Sequence, residues 1–166
     1  MKMLVGSLIE ATRRNHALEH ATLHVLEEVD ASSRLAGRSD WSGFWIYGEV
    51  GTGELASAAE EALTRLNDGE NRLAIHPRCG TNLVAGLALA GWAYQAAWGK
   101  ENRPVWRKAV SWMVGLSAAL SLAQPLGYRL QQKVTTLADL RGLRIVSVRR
   151  YPQAQRPIHF VETSRT

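Results

Sequence analysis

Between residues 8 and 29 the chain has no Gly or Pro and is rich in Ala, Leu and Glu, which predicts one long helix. Its apolar residues Leu18, Ala21, Leu23 and Val25 do not fall on a single stripe. His16, His20 and His24, by contrast, advance only about 40° per step and share one face. Residues 30–43, DASSRLAGRSDWSG, read as a turn-rich connection, and the aromatic and β-branched run FWIYGEV at 44–50 reads as a strand. GTGE at 51–54 breaks that strand. Leu55, Ala58, Ala59, Ala62, Leu63 and Leu66 then recur at helical spacing, so a helix over 52–67 follows, stopped by NDGE. RLAIH at 72–76 reads as a second strand, making 44–76 a β-α-β unit.

The pattern then changes. Residues 80–99 and 109–128 carry no charged side chain for about twenty positions each, the length a helix needs to cross hydrocarbon. The basic segment KENRPVWRK separates them, with Trp92, Trp98, Trp106 and Trp112 near its flanks, as interfacial anchors are placed. Gly86 with Ala90, and Gly115 with Ala119, supply small residues four apart for close packing in lipid. The competing reading is a pair of buried helices in a soluble core, but such helices keep one polar face and these show only Gln, Ser, Thr and Asn. After them, 129–143 reads as a helical or turn segment with Thr136 as an N-cap. RIVSVRRY at 144–151 and PIHFVET at 157–163 read as a hairpin. The fold class expected is α+β: a small mixed sheet of about four strands with covering helices, interrupted by a two-helix transmembrane hairpin. The divisions are 1–79, 80–128 and 129–166, the first and last forming one soluble domain.

Composition narrows this picture. A chain of 166 residues makes one ordinary domain, or a small domain with a membrane hairpin. The net charge of +5 suits anionic lipid headgroups as well as nucleic acid. The positive charges are dispersed and no nucleic-acid reader motif is present, so the lipid bilayer is the expected partner and nucleic acid is not. The single cysteine, Cys79, cannot form an intramolecular disulfide, so the fold does not depend on an oxidising compartment. That favours a plasma-membrane protein with its soluble domain in the cytoplasm. Residues 1–12 lack a full apolar run and a cleavage site, so no secretory signal is expected.

The chemistry concentrates in two stretches. In HALEH, His16 and His20 lie one helical turn apart, the spacing at which both nitrogens reach one zinc ion at about 2.0–2.1 Å. Glu19 stands beside them, and a carboxylate there takes a proton from metal-bound water. In AIHPRCGTN, His76 ends the expected strand and Cys79 follows in a turn, so imidazole and thiolate can converge on the same ion. Four such ligands make a closed structural site, and three plus water make a catalytic one. Against this stand plainer readings. A lone cysteine is commonly a small buried hydrophobe, His24 a surface or capping residue, and His159 a cross-strand packing residue. GEVGTGE matches no phosphate-loop template and carries two glutamates, so its glycines mark a turn.

HALEH, as H-x-x-E-H, resembles the pitrilysin-like inverted zinc peptidases over five residues. Those enzymes take a third ligand from a distant downstream glutamate, and no residue here is marked for that role. A longer resemblance rests on NHALEHATLHVL, LAGRSDWSGFWIYGEV, EALTRLNDGE, LAIHPRCGTN and PLGYRLQQKVTTLADL, and spans most of residues 13–148. These segments are similar to a family of uncharacterised bacterial membrane proteins, known mainly as a domain of unknown function. That resemblance implies a small soluble domain attached to a membrane hairpin, and no established activity. Two functions therefore stand open. One is a membrane-anchored zinc hydrolase, peptidase-like, with Glu19 as base. The other is a non-catalytic membrane protein whose His and Cys motifs are structural and whose surface binds a protein or peptide partner.

Overall fold

A computed structural model describes residues 2–32, 34–99, 103–151 and 157–165. Helix α1 (Lys2–Val29) leads into strands β1 (Ala36–Asp40) and β2 (Gly43–Tyr47), helix α2 (Thr52–Asn67) and a 3-10 turn (Asn71–Ala74). Helices α3 (Gly80–Trp98) and α4 (Val105–Leu130) follow, then a π turn (Gln131–Thr135) and strands β3 (Leu143–Tyr151) and β4 (Ile158–Arg165). The chain divides into two compact units. One runs to His76 and resumes at Gln132; the other is Pro77–Gln131.

In the first unit the strands pair in the order β1-β2-β4-β3, every neighbour antiparallel. This corrects the mixed sheet expected from sequence. The β-α-β unit fails because residues 72–76 are not a strand: they form the 3-10 turn and the extended Ile75 that follows it. Five residues with a short apolar run do not separate a strand from a turn. The fourth strand comes instead from within the expected connection at 30–43, where AGRSD pairs in register with β2. Its Gly, Ser and Asp give it little intrinsic β-propensity, and pairing at the sheet edge supplies what propensity does not. Asp40 closes this hairpin by accepting from the backbone N–H and hydroxyl of Ser42, both at 2.7 Å. Thr136 caps no helix, since 136–140 is irregular.

Helices α1 and α2 cover one sheet face. Phe44 and Ile46 of β2 and Val161 of β4 share one buried core with Leu55, Ala59 and Ala62 of α2 and Leu18, Ala21 and Val25 of α1. At roughly 1.5–3 kcal/mol for each large apolar side chain, this burial is the main stabilising term of the unit. On the opposite face Trp45 packs at a tilt against Phe160 (ring centroids 4.5 Å apart) and Tyr151 (5.3 Å).

The missing stripe on α1 has a physical reason. From Arg14 to Leu26 nearly every residue is buried, so the helix is central rather than half-exposed. The buried side chains Arg14 and Asn15 each find a partner. Arg14 donates to the Asp139 carbonyl at 2.9 Å and pairs with Glu10. Asn15 donates to the Asp40 carbonyl at 2.9 Å and accepts from Thr163 at 2.7 Å. Arg13 donates to the carbonyls of Thr136 (3.1 Å) and Lys133 (3.2 Å), drawing the 133–138 segment along the helix.

In the second unit α3 packs antiparallel to α4 through small residues. A Cβ on Gly86 would stand 3.1 Å from the Ala123 methyl, and one on Gly115 only 2.8 Å from that of Ala93, so glycine sets the spacing. Tyr94, Trp98 and Trp112 form an aromatic cluster at one end of the pair. Most large apolar side chains point outward, among them Leu87, Trp92, Val114 and Leu120, each over 60% exposed. Among the described residues one helical stretch, Val105–Thr135, is long and apolar enough to cross a membrane. The α3 stretch, with Asn82, Gln95, Tyr94 and two tryptophans in 19 residues, is not.

Candidate metal centre

The shared face of α1 is where the first unit collects its imidazoles. His16 and His20 lie with ring centroids 4.3 Å apart, one turn along the helix. His76, just beyond the 3-10 turn, comes within 5.7 Å of His20 and 4.8 Å of His24. The four rings form a row in the order His16, His20, His76, His24.

Each ring is oriented by one nitrogen. His16 Nδ1 donates to the Thr135 carbonyl at 3.0 Å, His20 Nδ1 to the Ala74 carbonyl at 2.8 Å, and His24 Nε2 to the Ile75 carbonyl at 2.8 Å. A carbonyl oxygen only accepts, so the bonded nitrogen carries the proton. In the neutral ring the lone pair then sits on the other nitrogen: Nε2 of His16 and His20, Nδ1 of His24. A backbone carbonyl holding one ring nitrogen is the kind of contact that orients metal-binding histidines. The fourth ring donates from Nε2 to the Glu27 carboxylate at 3.2 Å.

Local sequence explains why these carbonyls are available. The 3-10 turn at 71–74 and the extended residue after it leave the Ala74 and Ile75 carbonyls outside any strand ladder, facing α1. The 133–138 segment is fastened to α1 by Arg13 and by the Leu137 N–H on the Arg13 carbonyl at 3.0 Å, which presents Thr135. Between these two stretches lies a cleft lined by Asn71, Arg72, Ala74, Ile75, Gln132 and Thr136. The backbone that orients the rings is therefore adjacent to an opening on the surface.

Burial sets the charge state. His20 is 1% exposed, and burial holds its pKa well below the ordinary imidazole value, with the neighbouring His16 pushing the same way. A neutral His20 is the form that can bind a metal. Glu19 is also buried, and burial raises its carboxyl pKa, partly offset by a hydrogen bond from Ser39 and by His16. Its carboxylate turns toward β1, accepting from Ser39 at 2.5 Å, and a Cβ on Gly37 would overlap it. Gly37 is thus the opening in β1 that admits the Glu19 side chain.

Cys79 lies in the second unit. There it is the N-cap of α3, its sulfur accepting from the Thr81 N–H at 3.4 Å, and it is not in a disulfide. His159, fully buried on β4, sits 3.1 Å from the Thr52 hydroxyl at the start of α2, away from the row.

The profile of a family described as a domain of unknown function (DUF6391) matches residues 11–148. The chain belongs to that family. It is also 35% identical, over 159 residues, to an uncharacterised protein of a Picosynechococcus species, an alignment covering 90% of this chain and 77% of that protein. No solved structure matches significantly. The DUF6391 match takes in every residue of the imidazole row and both long helices of the second unit, and stops before β4.

The sequence groups His16, His20, His76 and Cys79 as candidate ligands of this DUF6391 chain, whereas the row joins His16, His20 and His76 to His24, with Glu27 beside it. A signal for the last two was present. Positions 16, 20, 24 and 27 continue one helical row, since Glu27 lies seven residues from His20, or nearly two full turns. In the structure His24, Glu27 and His76 each place one nitrogen or carboxylate oxygen within 4.8 Å of the others.

Proposed function

We propose that this protein is a membrane-attached metal-binding protein whose first unit holds a divalent transition ion, zinc by donor type, on the histidine face of α1. The observation that carries the reading is the orientation of the four imidazoles, each fixed through one nitrogen by a carbonyl or carboxylate. Hydrogen bonding alone would not need four rings gathered in one row. His16 and His20 anchor the ion through Nε2, and the neutral state of His20 favours it. The outward apolar side chains of α3 and α4 support a lipid surrounding for the second unit, with α4 as the spanning helix and α3 packed on it as the other arm of a hairpin. The metal-binding unit is assigned to the cytoplasm, where Cys79 remains a thiol.

The test is metal analysis of the full chain purified in detergent. About one or more equivalents of zinc are expected, with loss of the portion held by His16 and His20 when both become Ala. Folded protein that neither carries nor takes up zinc would defeat the reading.

A second reading, metal-dependent hydrolysis with Glu19 as base, is favoured by the place of its buried carboxyl, close enough to His16 for the two charges to interact. Glu19→Gln then retains zinc and loses hydrolysis of a peptide library. Retained hydrolysis in this variant would remove Glu19 from the chemistry.

A further inference from the structure

We infer that the row holds two ions rather than one, the second bound by His24, Glu27 and His76. This site uses none of the residues that anchor the first ion, and it stands on geometry of its own. His24 and Glu27 are one turn apart on α1, the i, i+3 spacing by which a helix presents an imidazole and a carboxylate to a common point. His76 faces them from the other side, its ring 4.8 Å from that of His24. Each of the three already places one nitrogen or carboxylate oxygen within 4.8 Å of the others.

Two distances give this meaning. In a tetrahedral shell with bonds of about 2.0–2.1 Å, neighbouring donor atoms are separated by roughly 3.3 Å. His76 Nε2 and Glu27 Oε1 stand 3.2 Å apart, so the gap now bridged by a proton is also the edge of a zinc shell. An ion entering there displaces that proton and needs little movement of either side chain. His24 is already oriented by the Ile75 carbonyl at 2.8 Å, which leaves Nδ1 as the donor toward the ion. Burial grades across the site: His76 is 3% exposed, while the Glu27 side chain is 23% exposed. That leaves one side open to water, and three protein donors with water completing the shell is the arrangement of an exchangeable site rather than a closed structural one. Two imidazoles and one carboxylate suit zinc and similar transition ions better than calcium or magnesium, which prefer oxygen donors alone.

The experiment is equilibrium dialysis of the chelator-treated full chain in detergent against Zn²⁺, repeated with Co²⁺, whose visible absorption reports coordination by nitrogen donors. Wild type should take up two equivalents. The pair His24→Ala and Glu27→Gln should take up one and lose the corresponding part of the Co²⁺ spectrum, while His16→Ala with His20→Ala keeps the other equivalent. Thermal unfolding of each metal-free variant checks folding, and Glu27→Asp, which preserves the carboxylate, should retain two equivalents at weaker affinity. One equivalent in wild type that is unchanged by His24→Ala and Glu27→Gln would overturn the second site and leave the first standing. One equivalent lost only with His24 and Glu27 would support the second site and remove the first. No uptake at all would overturn both.

Discussion

The two units of this protein solve opposite problems with similar helices. In α1 the buried positions include Arg14, Asn15, Glu19, His20 and Thr22, each given a partner. In α3 and α4 the interface is Ala and Gly, and the large side chains Leu87, Val114, Leu120 and Trp92 face out. The first arrangement keeps its polar groups inside, where each needs a hydrogen-bond partner to offset the cost of leaving water. Under the proposed membrane attachment, hydrocarbon surrounds the second, and close approach of small residues there replaces hydrophobic burial as the source of helix association. Inward polarity in one unit and outward apolarity in the other are thus two readings of the same rule: a side chain follows its solvent.

Substitutions can break that contrast, and the largest effect belongs to the core of the first unit. Leu18→Ala removes a fully buried side chain between α1 and its neighbours and should cost about 2–5 kcal/mol in denaturant unfolding. A polar change on the surface of the second unit is the sharper probe. Leu120 is 69% exposed, so in water Leu120→Lys would alter stability by less than about 0.5 kcal/mol. In a bilayer the same change should cost on the order of 2.5–3.5 kcal/mol of insertion, read as lost recovery in the membrane fraction. Unchanged membrane recovery would count against the lipid assignment. Gly37→Ala places a methyl where the Glu19 carboxylate lies and should destabilise by about 1–3 kcal/mol. Its partial rescue by Glu19→Ala would confirm the contact.

The smallest effect is one of pH. In chelator-treated protein the depressed pKa of His20 means that below about 6.5 the unfolded chain binds a proton the folded chain refuses. Stability therefore falls as pH drops below that value. Glu19 acts in the reverse sense. Its raised pKa means the folded chain keeps a proton that the unfolded chain has released, so its contribution is lost as pH rises from 4.5 through the folded pKa. Melting curves between about pH 4 and pH 8 should show the acid loss flattened in His20→Asn and the opposing slope flattened in Glu19→Gln.

What the sequence disclosed follows the same division. Helix periodicity placed α2 because its buried Leu55, Ala58, Ala59, Ala62, Leu63 and Leu66 face one way. The uncharged runs placed α3 and α4, and β3 and β4 stood out by their β-branched content. Strand β1 was hidden because AGRSD is made by its pairing with β2, a non-local interaction that composition does not express. The turn at 71–74 was mistaken for a strand because its Leu73 and Ala74 are buried as strand residues would be. At the site, His16, His20 and His76 were legible from spacing and residue type. Glu27 was not, because it stands out only when positions 16, 20, 24 and 27 are projected onto one helical face. The carbonyls of Ala74, Ile75 and Thr135 carry no sequence signal at all, since a backbone acceptor has no identity before the fold assigns it a neighbour.

The central claim is that the imidazole row of α1 binds a transition ion, and X-ray absorption at the zinc edge tests it most directly. Zinc-loaded full-length protein should show nitrogen and oxygen neighbours at about 2.0–2.1 Å with the outer-shell scattering of imidazole rings. That imidazole signal should shrink in His16→Ala with His20→Ala. A spectrum without imidazole scattering, or one indifferent to that double substitution, would contradict the assignment of His16 and His20 as zinc ligands.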